Sequence, residues 1–167
     1  MKSGKRHLIA YIIAGILLGI ILRLFVIDTE KVSGTSMEPT IREGETVLIN
    51  KLAYGIENPF SNSLLVHWAE PEPGDIITYY MNNKLVMKRC VATEHTVLDF
   101  SKDSGYSLSV GGTKIPLTEQ QYQRIKYDTS VPEGTVLAIG DNYDESVDSR
   151  DYGFIEVNCI LGKIIWH

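Results

Sequence analysis

The chain has 167 residues, enough for one domain plus an anchor, and its 44% hydrophobic content argues against a disordered polymer. Its net charge of -5 is unevenly spread: residues 1–27 hold Lys2, Lys5, Arg6 and Arg23 and no acid, which leaves 12 Lys+Arg against 21 Asp+Glu, or -9, for residues 28–167. So acidic a body argues against nucleic acid as a partner, because phosphate binding needs clustered cations.

Residues 1–7 are basic and short. Leu8 to Leu22 is an unbroken run of apolar residues and glycine, Arg23 interrupts it, and Leu24-Phe25-Val26-Ile27 continues it. Twenty helical residues span ~30 Å, the thickness of a bilayer core, so residues 8–27 are expected to form a transmembrane anchor. Arg23 lies near its end, where a long side chain snorkels to the headgroups. Lys2, Lys5 and Arg6 are expected to keep residues 1–7 in the cytoplasm and so turn residues 28–167 outward. A cleaved signal peptide would need small residues before the cut, and Ile27-Asp28-Thr29-Glu30 supplies none. The GxxxG spacing of Gly15 and Gly19 permits close helix packing but is more often incidental.

After the anchor, β-branched and alternating runs predict strands at Thr46–Asn50, Asp75–Tyr80, Lys84–Thr93, Thr96–Phe100, Thr135–Ile139 and Ile160–Trp166. Asn82-Asn83 reads as a hairpin turn. Leu52–Pro73 reads as irregular, and within it Phe60, Leu64, Leu65 and Trp68, with Trp166, are candidates either for a lipid-facing surface or for ordinary packing. Segment 101–133 is polar and turn-rich, a small subdomain inserted within about 93–133, with one short helix over Thr118–Lys126. The body is expected to be mainly β, a barrel-like or folded-over sheet. Cys90 and Cys159 sit in apolar stretches and are expected to be buried free thiols.

Four groups of residues carry chemistry. Ser33-Gly34-Thr35-Ser36-Met37-Glu38-Pro39-Thr40 is hydroxyl-rich and close to the anchor, which suits a nucleophile held at a membrane surface or an ordinary turn. Lys88 lies among Val86, Met87, Cys90 and Val91; strand alternation sends one of Lys88 and Arg89 inward. A buried lysine loses pKa and becomes a base competent to deprotonate a hydroxyl. Gly140-Asp141-Asn142 follows a strand. In Ser146-Val147-Asp148-Ser149-Arg150, Asp148 and Arg150 can pair, and Ser146 can bond a buried amine. The four histidines suggest no Ser-His-Asp arrangement, and no metal-ligand spacing is present.

Taken in order after one N-terminal span, Ser36-Met37-Glu38-Pro39-Thr40, Gly74-Asp75, Lys88-Arg89 and Gly140-Asp141-Asn142…Ser146-x-Asp148-Ser149-Arg150-x-x-Gly153 resemble the motif set of bacterial type I signal peptidases. The resemblance runs from the anchor to Leu161-Gly162-Lys163 and is weakest in 55–72 and 93–133. It implies a folded β-sheet barrel shared with repressor-type proteases and a Ser-Lys dyad in which Ser36 is nucleophile and Lys88 general base. It also implies Ser146 as the residue orienting the lysine, Asp148 and Arg150 as structural support, and no cofactor or metal. The expected partners are secretory preproteins, cut after small residues of the Ala-x-Ala type, and membrane lipid; the expected location is the bacterial cytoplasmic membrane. Val32, Met37, Ile41 and Met87 flank the dyad and are candidate substrate-pocket residues. Gly34 stands where some family members carry a serine that supplies a second oxyanion donor. Two alternatives are a self-cleaving Ser-Lys regulator and a catalytically silent, membrane-tethered binding module.

Overall fold

The computed structural model describes residues 2–103 and 105–167, with side chains described for all of these except 2–6 and 24. Helix α1 (Lys2–Phe25) leads directly into strand β1 (Ile27–Lys31). The helix stops two residues before the end of the expected anchor because β-branched Ile27 already pairs with Asn50, opening the ladder that runs to Lys31 opposite Thr46. The described side chains of α1, His7–Arg23 and Phe25, are all exposed, so no face of the helix is packed on the body. Among the described residues no helix is long and apolar enough to cross a membrane. Lys2, Lys5 and Arg6, expected to orient the anchor, lie outside the residues whose side chains are described.

The body continues with β2 (Thr46–Asn50), β3 (Gly55–Glu57), β4 (Leu64–His67), β5 (Ile76–Met81), β6 (Lys84–Thr93), β7 (Asp99–Ser101), β8 (Ser107–Val110) and β9 (Thr113–Pro116). It ends with α2 (Glu119–Ile125), β10 (Thr135–Ile139), α3 (Ser149–Tyr152), β11 (Ile155–Glu156) and β12 (Ile160–Trp166). Seven strands form one sheet in the order β1-β2-β12-β5-β6-β10-β11; β3-β4 and β7-β8-β9 form two smaller sheets. The body is mainly β as expected, but the large sheet is open, with β1 and β11 at its edges, so the barrel-like sheet does not close. The physical reason lies in β6. Its second half, Arg89 to Thr93, pairs with β10, but Lys84–Lys88 runs past the end of that ladder and pairs with β5 alone.

The β5–β6 hairpin turns at Asn82-Asn83, with φ of 50° and 60°, the doubly left-handed geometry of a two-residue type I′ turn. The strand expected at Thr96–Phe100 is shifted: Val97 makes a single bridge to Ser130, and the paired strand is β7. Helix α2 lies within the expected Thr118–Lys126. Thr118 caps it by accepting from Gln121 N at 3.2 Å while Gln121 Oε1 accepts from Thr118 N at 3.0 Å. Leu108 and Ile115 of the small sheet and Ile125 of α2 are buried with Ala92, Leu137 and Ile139 of the large sheet. Each such side chain contributes about 1.5–3 kcal/mol, so segment 93–133 rests on the main sheet through a shared core.

Both cysteines are free. Cys90 is fully buried, and burial pushes its thiol up to about 12. Cys159 is only half-buried, which corrects the expectation of two buried thiols.

Candidate active site

The loop carrying Ser36 joins β1 to β2. It is clasped at its base, where Val32 N donates to Glu45 O and Gly44 N donates to Val32 O. Gly34 has φ of +99°, open to glycine at no steric cost. Met37 and Ile41 then turn inward and are buried in a core with Val47, Ile49, Ile76 and Ile164, which anchors the loop on the sheet. Ser36 stays half-exposed between these anchors.

Lys88 is the inward member of the Lys88-Arg89 pair. It is 4% exposed, and its Nζ donates to Ser146 Oγ at 3.0 Å. Burial holds its pKa below the usual lysine value; the nearby Asp148 charge opposes that shift and Arg150 reinforces it. Arg89, on the opposite face, makes a bidentate pair with Asp141 (2.8 and 2.6 Å) and donates to Gly74 O at 2.8 Å. Two consecutive cations on one strand thus serve different ends, and the alternation of the strand decides which is buried.

Asp148 and Arg150 form a buried bidentate pair, with Nε to Oδ1 and Nη2 to Oδ2 both at 2.9 Å; Arg150 is 1% exposed. Arg150 also donates to the carbonyls of Pro116, Tyr143 and Ser146, and Asp148 Oδ2 accepts from Gly140 N at 3.0 Å. The pair therefore ties the end of β10 to the turn that carries Ser146, and it is no surface ion pair. Ser146 N donates to Asn142 O at 3.0 Å, which holds the hydroxyl over Lys88.

Gly140, at the end of β10, allows the loop carrying Ser36 and the turn carrying Ser146 to meet. A Cβ there would stand 2.2 Å from Ser146 Oγ and 2.5 Å from the carbonyl oxygen of Ser36, distances only a glycine permits. Asn142 follows two residues later. Its N–H donates to Ser36 O at 3.0 Å and its side-chain amide to Thr35 O at 3.1 Å.

Ser36 and Lys88 line one open groove of about 450 Å³ with Val32, Met37, Leu85 and Met87. Its walls are Glu30 and Lys31 of β1 and Lys84–Lys88 of β6. A groove lined by both a buried lysine and a half-exposed serine hydroxyl is suited to general-base attack on a bound carbonyl.

A family model described as signal peptidase, peptidase S26, matches residues 5–167. The chain belongs to this family. Signal peptidase I of Bacillus caldolyticus is 30% identical over 159 residues, covering 86% of this chain and 80% of that protein. Signal peptidase IB of Staphylococcus aureus (strain MW2) is 25% identical over 187 residues, covering 96% of this chain and 88% of its own. A crystal structure of a signal peptidase I from Enterococcus faecalis V583 is 24% identical, with a TM-score of 0.41 over 57% of this chain and 97% of that one. Membership in a family of signal peptidases disfavours both the self-cleaving regulator and the silent binding module.

The other residues singled out in the sequence fall as follows. Val32, Met37 and Met87 line the groove, whereas Ile41 is fully buried in the core beneath the loop and does not. Leu85, not among the candidate residues, also lines the groove, and its place two residues before Met87 puts it on the same face of β6. Phe60, Leu65, Trp68 and Trp166 are exposed, and Leu64 packs against a core cluster instead. His67 and His95 are exposed, and no group of three or more potential metal ligands forms among the described residues. Gly140 and Asn142 were visible only as a motif; their work depends on contacts with residues more than a hundred positions away.

Proposed function

We propose that Ser36 is the nucleophile and Lys88 the general base with which this chain, a serine endopeptidase of the signal peptidase family, removes N-terminal signal peptides from secretory preproteins. The observation that carries the assignment is Lys88 itself. It is a buried amine with a lowered pKa, held by Ser146 and facing the groove that Ser36 also lines, while the nearby Asp148 charge is engaged by Arg150.

In this reading neutral Lys88 accepts the Ser36 proton as Oγ attacks the scissile carbonyl. The oxyanion of the tetrahedral intermediate is stabilised by the Ser36 N–H, a type of donor worth ~3–4 kcal/mol. The lysine ammonium returns the proton to the leaving amine, which departs and leaves an acyl-enzyme. Water then loses a proton to Lys88, attacks the ester, and releases the signal peptide with Ser36 regenerated. Ser146 orients the amine; Asp148 and Arg150 hold Ser146. The substrate backbone lies extended between β1 and the unpaired side of Lys84–Lys88, adding a strand to those edges. Val32, Met37, Leu85 and Met87 form shallow apolar pockets that admit small side chains and exclude large ones.

The chain works at the bacterial cytoplasmic membrane. The exposed aliphatic surface of α1 supports a single-pass anchor over residues 8–25 with the body outside, and exposed Phe60, Leu65, Trp68 and Trp166 support a lipid-facing surface on the body. Detergent-solubilised protein is expected to cut a preprotein after an Ala-x-Ala site, and Ser36→Ala and Lys88→Ala are each expected to abolish the cut. Near-full activity in either variant would remove the dyad assignment.

A further inference from the structure

Gly34 places no hydroxyl two residues before Ser36, so in the reading above the Ser36 N–H is the main oxyanion donor and its direction becomes critical. We infer that Asn142 is the positioning residue that aims this N–H into the groove, an inference that rests on the Ser-Lys reading above.

The argument is one of peptide geometry. The Ser36 N–H and the Thr35 carbonyl belong to one planar, trans peptide unit and point in opposite directions. Whatever fixes the Thr35 carbonyl therefore fixes the Ser36 N–H. Asn142 donates its side-chain amide to Thr35 O at 3.1 Å. Only the NH₂ end of the amide can make this bond, since a carbonyl has no proton to give. The next carbonyl, that of Ser36, accepts from the Asn142 backbone N–H at 3.0 Å. Thr35 O also accepts from Glu38 N at 3.1 Å within the loop's own turn, so Asn142 shares that carbonyl and braces it from across the fold, while it holds the Ser36 carbonyl through its backbone; the intervening N–H points away from the Thr35 bonds. A hydrogen bond on a carbonyl also polarises its own peptide unit, which strengthens the N–H as a donor.

Asn142 is itself fixed. Its neighbour Asp141 is held by the bidentate pair to Arg89, next to Lys88 on β6. Its carbonyl accepts from Ser146 N at 3.0 Å, on the side where Ser146 meets Lys88. The side-chain bond to Thr35 is therefore separable from these backbone contacts: Asn142→Ala removes it and leaves the Asn142 N–H and carbonyl in place. Asn142→Asp keeps the shape but presents a carboxylate that cannot donate and repels the Thr35 oxygen.

The test is steady-state cleavage of an Ala-x-Ala peptide by detergent-solubilised full-length chain, over a range of pH, with Ser36→Ala as the inactive control. Both Asn142 variants are expected to lower kcat on the order of 10- to 100-fold, with KM within about twofold of wild type. The rising limb of the pH profile, which reports Lys88, is expected to stay where it is. Asn142→Gln, which keeps the donor on a longer arm, is expected to recover part of kcat. A kcat within about twofold of wild type in both variants overturns the inference. So does a loss accompanied by a shifted pH limb, since that places the defect at Lys88 and Ser146. If wild type fails to cut, or Ser36→Ala cuts as well as wild type, the dyad reading falls, and the inference with it.

Discussion

Lys88 is charged in water and resists being charged where it sits. Burial lowers its pKa from the usual 10.5, so between its folded value and 10.5 the unfolded chain binds a proton that the folded chain does not. Stability therefore rises with pH across that window, and below it the full cost of charging a buried amine is present. Two outcomes are expected from one cause. Cleavage rises with pH through the depressed lysine pKa, and a rate that falls steadily from pH 6 to 8 would contradict a neutral-amine base. The melting temperature of wild type relative to Lys88→Met also rises between neutral pH and pH 10, measured by thermal denaturation at each pH. The Asp148–Arg150 pair obeys the opposite logic, because each member neutralises the other in a dry place. Arg150→Met leaves Asp148 buried and unpaired, and is expected to cost about 3–5 kcal/mol in urea unfolding. Replacing both partners with apolar residues is expected to cost less than that single change, since no uncompensated charge remains. The residue scale is also where the sequence is most legible. Alternation in β6 predicts that one of two adjacent cations turns inward, and the motif order singles out which one. Asn142 is illegible there, because nothing local distinguishes an asparagine in a turn from one that reaches Thr35 across the fold.

At the level of elements, strands announce themselves where apolar alternation is clean and disappear where turn residues crowd them. β2, β6 and β12 have the expected bounds, and Asn82-Asn83 makes the expected hairpin turn. β3 and β4 are hidden in a stretch rich in Pro, Asn and Ser, and β1 is masked because Ile27 prolongs the apolar run of the helix. β8 and β9 carry a signal that goes unread in a polar segment: Gly111-Gly112 between Val110 and Thr113 is a two-residue hairpin turn, with φ of 55° and 80°. Gly140, just after β10, and Gly162, within β12, offer a paired test of what close packing does in two settings. A Cβ at Gly140 meets Ser146 Oγ and the Ser36 carbonyl, whereas one at Gly162 meets Ile49 Cγ2 at 2.7 Å and Asn50 O at 3.0 Å, inside the sheet. Gly140→Ala is expected to lower kcat on the order of 100-fold, since it displaces Ser36 and Ser146 together. Gly162→Ala is expected to cost about 1–3 kcal/mol of stability and to leave kcat of the folded fraction near wild type. Active-site titration alongside urea unfolding separates the two effects.

For the whole molecule, the open sheet and the exposed helix are two parts of one arrangement. The groove exists because β6 outruns β10, so that its first half, paired with β5 on one side, has no strand on the other side, where β1 forms the facing wall; a closed barrel would have filled it. Since β1 follows α1 with a single residue between, one wall of the groove is attached directly to the helix. In the proposed arrangement the remaining contact with membrane falls to the body. Phe60, 95% exposed, and exposed Leu65 and Trp68 lie on or beside the β3–β4 hairpin, and each gains about 1.5–3 kcal/mol if buried in lipid. Three such residues suffice for weak, reversible binding comparable to a single acyl chain, and fall well short of the hold of a spanning helix. Deleting residues 1–25 is therefore expected to leave a folded body, because every ladder of the large sheet begins at Ile27 or later. That body is expected to keep cutting detergent-dissolved peptide, to lose most of its rate on a preprotein inserted in vesicles, and to co-sediment with vesicles only in part. Changing Phe60, Leu65 and Trp68 to serine in the shortened chain is expected to return it to the supernatant. If the triply changed body sediments with vesicles as strongly as its parent, the lipid-facing surface is elsewhere, and the hairpin has no part in holding the groove at the membrane.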